Sequence, residues 1–546
     1  MALLFETTDA PASTATQYKL HAGDEFHGKL SVATADWLAV TLTAGSTYTF
    51  GAVGIGAVNT GVTDTRLVLH GPTGAIVLAD DNGGPGKSSS LTITAATSAT
   101  YYIEVQSKAG PVEADYGLAM TDGDRVSYGV TLGAAEIYRE GQSWAATPAA
   151  ATTVTWGFRA SGTAYDASGN HSTFYQLSAA QQHAAERALA AYSSIANITF
   201  EQVNPHGFTN NATILIGAYQ SADDGSGAYA YYPGSRAANS DDGDLWINNK
   251  WVSKTDLPIG SYDNAVFLHE LGHALGLAHP GDYNAAPGVD VTYQNNAQFA
   301  EDSNQYTVMS YFDATDTEAA APQHSADTLM MYDIYAVQQL HGVNTSANAG
   351  RSVYGFHSTV GGAFDFSVNT APLLCIWDGS GTDVLDVSGF AQAQTIDLHG
   401  GRFSDVGGYK GNVSIAVGCR IENAIGGMGA DLVIGNGAAN RLQGRAGDDT
   451  LIGDAGNDTL SGNPGADTFV FSKGTGKDVI TDFDKAMDEL SLTAALWGGA
   501  VISSAEVVSL YGKIVDGHVV LDFGAETIAL LNQHSLLGLA AQILIA

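Results

Sequence analysis

The sequence predicts a multidomain protein: an N-terminal all-β sandwich over residues 1–122, a linker over 123–152, an α/β domain over 153–345, and a parallel β-roll with a terminal β region over 346–546. Three observations predict it. The opening stretch is made of short alternating or β-branched runs broken by Gly, Asp and Ser clusters. The middle alternates strand-like runs with helix-length segments. From about residue 346 the chain turns Gly- and Asp-rich and settles into a nine-residue repeat.

In the first domain, Leu38-Ala-Val-Thr-Leu-Thr, Tyr48-Thr-Phe, Arg66-Leu-Val-Leu-His and Tyr101-Tyr-Ile-Glu-Val read as strands. Turn residues separate them at short spacing, as in a two-sheet sandwich. Asp36-Trp37, Gly45-Ser-Thr-Tyr-Thr-Phe, Leu78-Ala-Asp-Asp-Asn-Gly and Asp115-Tyr-Gly-Leu accompany them in order. In that order the stretch resembles the bacterial pre-peptidase C-terminal-type domain. The resemblance implies an accessory module of secreted proteases. Asp64, Asp80 and Asp81 are there either calcium ligands or solvated turn carboxylates.

The next segment ends in Ala145-Ala-Thr-Pro-Ala-Ala-Ala-Thr-Thr. It is low in complexity with little to bury, which predicts a linker. Val154-Thr-Trp-Gly-Phe reads as a strand, and Ser178 to Ala196 as a helix capped by Ser178. Ile198-Thr-Phe-Glu-Gln-Val, Ala212-Thr-Ile-Leu-Ile-Gly and Asp244-Leu-Trp-Ile-Asn read as further strands. Asp263 to Ala274 and Ser325 to His341 read as two more helices.

The repeat runs through five periods that begin at Gly426, Gly435, Gly444, Gly453 and Gly462. They match the G-G-x-G-x-D-x-U-x pattern of a calcium-binding parallel β-roll. The first six residues of each period make a turn that needs glycine's freedom at positive φ. The last three make a short strand whose apolar residue (Val433, Leu442, Leu451, Leu460, Phe469) faces the core. The sixth-position residues Asp431, Asp449, Asp458 and Asp467 point at ions between turns; Asn440 replaces Asp in one period and loses a charge. Turn residues Gly427, Gly429, Asn436, Ala438, Gly447, Asp454, Gly456, Asn463 and Gly465 complete the expected calcium shell, largely through carbonyl oxygens. Stacked carboxylates repel without metal, so the roll is expected to fold on binding calcium.

Lys and Arg total 22 against 57 Asp and Glu, a formal charge of −35. A chain so acidic has no general cationic face for phosphates, which argues against a nucleic-acid or anionic-membrane binder. No run approaches the roughly 20 apolar residues of a membrane span. Cys375 and Cys419, the only two cysteines, are too few for a disulfide scaffold. The stretch Met1-Ala-Leu-Leu-Phe-Glu-Thr-Thr-Asp lacks the basic and apolar regions of a signal peptide.

The chemistry concentrates in Phe267-Leu-His-Glu-Leu-Gly-His-Ala-Leu-Gly-Leu-Ala-His-Pro. His269 and His273 stand four apart on a helix, so they share a face and can share a zinc ion. Glu270 can hold the attacking water as general base. Gly276 turns the chain sharply and His279 returns as a third nitrogen ligand. A chance match to the whole pattern is on the order of a few in 100,000 for such a composition. This is the extended metzincin signature.

Downstream, Tyr306-Thr-Val-Met-Ser-Tyr-Phe resembles the Met-turn of that class, with Met309 beneath the zinc site. The stretch from about 153 to 546 is similar to the serralysins, secreted bacterial zinc proteases. Thr328-Leu-Met-Met-Tyr-Asp-Ile-Tyr, Ile376-Trp-Asp-Gly-Ser-Gly-Thr-Asp and Ile421-Glu-Asn-Ala-Ile-Gly-Gly carry the likeness further. The resemblance implies that Tyr311 is a switchable zinc ligand that stabilises the oxyanion. It implies that Asp378, Gly381, Asp383 and Glu422 also hold calcium. Substrate is expected to lie antiparallel to an edge strand near Asp244-Leu-Trp-Ile-Asn. The implied activity is a secreted endopeptidase with one catalytic zinc and several structural calcium ions. Its implied partners are protein or peptide substrates, a type I secretion machinery of a Gram-negative bacterium, and a proteinaceous inhibitor. The rival readings are a calcium-dependent adhesin or surface-layer protein with a vestigial protease fold, and a carbohydrate-binding module resting on the sandwich alone.

Overall fold

The computed structural model describes all residues except 1, 32–34, 57–60, 62, 111, 163–172, 206, 223–224, 318 and 322–323. It divides into two compact units, Met1–Thr317 with His324–Asn344, and Glu318–Gln323 with Thr345–Ala546. No helix of the described residues is long and apolar enough to cross a membrane.

The first unit opens with ten strands: β1 (Leu3–Phe5), β2 (Lys19–Leu20), β3 (Glu25–Leu30), β4 (Asp36–Leu42), β5 (Thr47–Gly54), β6 (Thr65–His70), β7 (Ile76–Asp80), β8 (Ser89–Thr94), β9 (Ala99–Ser107) and β10 (Ala114–Asp122). They form two five-stranded sheets, in the orders β1-β3-β10-β5-β8 and β2-β4-β9-β6-β7. One apolar cluster draws on both, with Phe26, Phe50 and Leu118 from one sheet and Leu38, Leu67 and Ile103 from the other. Alternate residues of each strand point to this shared interior, as a half-buried sheet requires. Asp80 closes a turn by accepting from the backbone N–H of Gly83 and Ser90. Asp81 pairs with Lys108 at the surface.

The segment expected to be a linker is not one. It carries helix α1 (Val130–Tyr138), seven of whose nine residues are buried. A methyl group on Gly117 of β10 would lie 2.0 Å from Leu132, and one on Gly133 would lie 2.2 Å from the Tyr332 ring. The helix is therefore wedged between the sandwich and the rest of the unit at glycine-only distances. A helix buried on all sides has no polar face, so its sequence shows no amphipathic period.

The central sheet runs in the order β12-β11-β14-β16-β15, with β11 (Thr152–Arg159), β12 (Ile198–Gln202), β14 (Ile214–Tyr219), β15 (Ala228–Ala230) and β16 (Leu245–Asn248); the short β13 (Phe208–Thr209) also pairs with β11. All pairs are parallel except β15 with β16. The edge strand beside the 244–248 stretch is thus β15, which pairs antiparallel with it. Helix α2 (Ala179–Ile195) begins at a capping box between Ser178 and Gln181. Helix α3 (Tyr262–Ala274) carries the first two histidines of the motif. After a one-turn helix α4 (Tyr293–Asn296), helix α5 covers Met331–His341. It starts six residues later than expected, because the Asp333 carboxylate accepts from the Met330 backbone N–H and fixes the first turn there.

The second unit is a roll of mostly three-residue strands. A nine-stranded sheet contains Val384–Asp386, Asn423–Ile425, Arg441–Gln443 and Thr459–Ser461. A six-stranded sheet contains Leu432–Ile434, Thr450–Ile452 and Thr468–Phe471. Successive strands of one sheet pair in parallel 18 residues apart, for example Leu442 with Leu460 and Val433 with Leu451. Two nine-residue periods therefore make one coil. The five apolar positions read from the repeat are all fully buried.

Candidate metal centre and active site

Helix α3 ends where it must. Gly276 sits at φ +107°, and a methyl group there would lie 2.1 Å from the Gln142 carbonyl. The turn brings His279 back against His269 and His273. Nε2 of His279 lies 3.1 Å from Nε2 of both other rings. Each Nδ1 faces a backbone carbonyl: His269 to Val308 at 2.8 Å, His273 to Leu277 at 2.6 Å, and His279 to Tyr283 at 2.8 Å. These bonds assign the proton to Nδ1 and leave three Nε2 lone pairs converging on one point. Burial holds the imidazoles neutral, pulling His269 down to about 4 and His273 to about 3. Three neutral, mutually repelling lone pairs fit a tetrahedral N3 zinc site with one position open.

Glu270 lines the same cavity, of about 350 Å³, together with Ala228, Tyr262, Val266, His269 and Tyr311. Burial pushes its carboxyl up to about 8, and its Oε2 has no partner. Tyr311 lies with its ring centroid 4.6 Å from that of His279 and 5.7 Å from that of His269, and is 40% exposed. Met309 is fully buried, and a methyl on Gly272 of α3 would lie 2.5 Å from its Sδ. It is thus a floor beneath the helix.

Several residues behind the histidines escaped the sequence reading. Asp333, buried on α5, accepts from the Thr307 hydroxyl at 2.5 Å and the Val308 N–H at 2.8 Å. The Val308 carbonyl in turn accepts a hydrogen bond from His269 Nδ1. Asp302, also buried, accepts from the hydroxyls of Tyr283 (2.8 Å) and Ser310 (2.7 Å). It so ties the His279 loop to the Met309 turn. Arg139 at the end of α1 donates to the His279 carbonyl at 2.7 Å. Trp144 donates to the Ala274 carbonyl at 2.7 Å and satisfies the end of α3. Asp282, beside the loop, accepts from the Gly86 N–H of the sandwich at 3.0 Å. The only sequence signal for any of these was an aspartate inside the apolar run of α5.

In the roll the sixth-position acids form two columns. Asp431, Asp449, Asp467 and Asp488 make one, each backbone N–H donating to the next carboxylate. Asn440, Asp458 and Asp478 make the other by the same bonds. Asp478 and Asp488 fall outside the nine-residue phase and were missed. One oxygen of Asp449, Asp458 and Asp467 is buried without a partner, as is one of Asp383. Such orphans suit a hard cation. Glu422 accepts from the Asp383 N–H at 2.8 Å, and Asp378 from the Tyr354 hydroxyl at 2.8 Å. Gly381 is at φ +152°, a conformation open to it without strain. Gly427 donates its N–H to Asp431. The carbonyls of Gly429, Ala438, Gly447 and Gly456 lie along the crowded coil, each within 2.3 Å of where a methyl group on Gly447, Gly456, Gly465 or Gly476, respectively, would sit. Three expected ligands have side chains bonded within the protein, which leaves their backbone carbonyls as the oxygens on offer. Asn436 and Asn440 bond each other at 3.1 Å, and Asp454 turns outward to His399 at 3.0 Å. Asn463 lies exposed at φ +67°, a turn corner.

Known proteins resemble both the metal-centre region and the roll. Residues 157–309 match the matrixin family model, and residues 343–512 match that of the peptidase M10 serralysin C terminal. Metallopeptidase AprA of Pseudomonas marginalis is 42% identical over 65% of this chain and 80% of its own length. Serralysin C of Dickeya chrysanthemi is 40% identical, over 59% of this chain and 67% of its own. Metalloprotease AprA of Pseudomonas entomophila is 43% identical, over 59% and 68%.

Proposed function

Because the chain belongs to the serralysin-type metzincin metalloproteases, and is therefore a zinc metalloendopeptidase, we propose that His269, His273 and His279 hold its zinc, that Glu270 is its general base, and that Tyr311 serves both as a resting ligand and as an oxyanion donor. The convergence of three Nε2 lone pairs carries this reading.

Zinc, when bound, polarises a scissile carbonyl and acidifies water. The rest falls to the chain. Glu270, which lines the cavity beside His269, takes the proton of the attacking water and delivers it to the leaving amine. Tyr311 swings in and donates its hydroxyl proton in a hydrogen bond to the developing oxyanion. Substrate adds antiparallel to β15, since that strand is the edge and Ala228 lines the cavity beside Glu270.

The roll carries calcium at Asp383, Glu422 and the two acid columns, supported by their orphaned oxygens. The same columns suit an extracellular setting rich in calcium, reached by type I secretion. The adhesin reading loses ground because both general base and ligands are intact.

The test is casein hydrolysis by calcium-refolded, zinc-loaded protein beside Glu270→Ala. Removing the base should cost about 10²–10⁴-fold in kcat while one zinc per chain remains. Retained turnover in the variant would sink the mechanism.

A further inference from the structure

The cavity beside the three histidines carries a charge that neither the zinc chemistry nor strand addition uses. One of its walls is helix α3, through Tyr262, Val266 and Glu270. The other is the turn after Met309, through Ser310, Tyr311 and Asp313. Glu270 is engaged as the general base. Asp313 is the second carboxylate that lines the space, and no Lys or Arg among the described residues lines it. The counter-charge for Asp313 therefore has to come from whatever enters the cavity.

The chain holds Asp313 in place from both sides. The Asn304 side-chain amide donates to the carbonyls of Ser310 and Phe312, both at 2.9 Å, and so fixes the turn that leads into Asp313. The Asp313 N–H donates to the Asp316 carboxylate at 3.2 Å, at the start of the short helical turn Ala314–Asp316. Asp313 itself is exposed. A carboxylate fixed in the wall of a site, with no cation beside it in that wall, attracts positive side chains and repels negative ones.

We propose that Asp313 is a specificity-determining residue: it selects substrates that place Arg or Lys next to the scissile bond, with that side chain in the cavity, and rejects Asp or Glu there. This preference rests on the zinc-endopeptidase reading of the site and names its substrate class. A long basic side chain suits the cavity, because its methylenes can lie along the apolar wall at Val266 and Val308 while the charged head meets Asp313. The planar fork of Arg can engage both carboxylate oxygens, which Lys cannot do.

A peptide mixture digested by the zinc-loaded full chain, with product ends read by mass spectrometry, gives the residues on both sides of each cut. At one of these two positions Arg and Lys should be enriched about tenfold over Asp and Glu. Paired fluorogenic peptides that differ only in Arg or Glu at that position then give a ratio of kcat/KM for each enzyme. The ratio compares two substrates on one protein, so zinc content and folded fraction cancel. Asp313→Asn keeps a side chain that can cap the turn and removes the charge, so its ratio should fall to about one. Asp313→Glu should retain the preference, and Asp313→Lys should invert it. Should Asp313→Lys fail to fold, Asp313→Asn, an isosteric change at an exposed position, decides alone. The preference is overturned if wild type cuts without regard to charge at either flank, or if Asp313→Asn keeps the wild-type ratio. No cleavage at all by zinc-loaded wild type would instead overturn the endopeptidase reading, and the preference with it.

Discussion

At the scale of single residues, the site depends on groups that never touch substrate. Asp333 holds the backbone that accepts the His269 hydrogen bond, and Asp302 joins the His279 loop to the turn beneath. Orienting partners of this kind are worth about 10–100-fold in metal affinity. Asp333→Ala should therefore speed zinc loss to a chelator by that factor and cost about 2–3 kcal/mol of stability, read by stopped-flow and urea unfolding. Unchanged zinc release would show that the Met309 turn stands without it. Tyr311→Phe makes the complementary prediction. On the proposed role, the hydroxyl that serves as a resting ligand aids turnover by reaching the oxyanion in the transition state, so kcat should fall about 10²-fold while KM stays within a factor of a few. A change confined to KM would assign the ring to substrate binding.

At the scale of elements, the acid columns of the roll make calcium and protons rivals. Burial, reinforced by neighbouring carboxylates, pushes Asp449 and Asp458 up to about 7 and Asp467 up to about 6. A raised carboxyl binds protons in the folded state that the unfolded chain releases. In chelator, the stabilisation is complete below the ordinary carboxylate range and is lost as pH rises through 6 to 7. The metal-free roll should thus be more stable at pH 5 than at pH 8, by thermal unfolding. With calcium the order should reverse, because protons then displace the ion. An apo roll indifferent to pH would mean that its columns are already compensated.

At the scale of the whole first unit, the sandwich and the catalytic domain share one compact body. Helix α1 meets β10 through Leu132 against Gly117, and Gly129 donates to Glu25 at 3.0 Å. Its Glu136 accepts from Ser88 at 3.1 Å, while Arg139 reaches the His279 carbonyl. Deleting residues 1–122 would uncover the apolar face of α1. The truncated protein should lose several degrees of Tm, as about 2–5 kcal/mol would imply for a uncovered leucine contact, and should release zinc faster than the full chain. Equal Tm and equal zinc release would make the sandwich an independent appendage.

The sequence by itself determined what is local and periodic. Residues four apart on a helix share a face whatever surrounds them, so His269, Glu270 and His273 were legible, as was the turn to His279. A nine-residue phase dictates its own coil, so the roll and its buried apolar ladder were legible too. Ser178 announced its helix through its own cap. The tertiary structure alone decided what depends on distant segments meeting. Helix α1 read as a linker because total burial erased its polar face. That Ala228–Ala230 supplies the edge beside 244–248 was decided by strand order, a long-range choice. Asp302, Asp333 and Arg139 were ordinary residues until folding set them behind the histidines. Tyr262 and Asp313, far apart in sequence, came to line one cavity only when the chain folded. Spacing along the chain encodes short-range geometry, whereas the company a side chain keeps across a core is fixed only by packing.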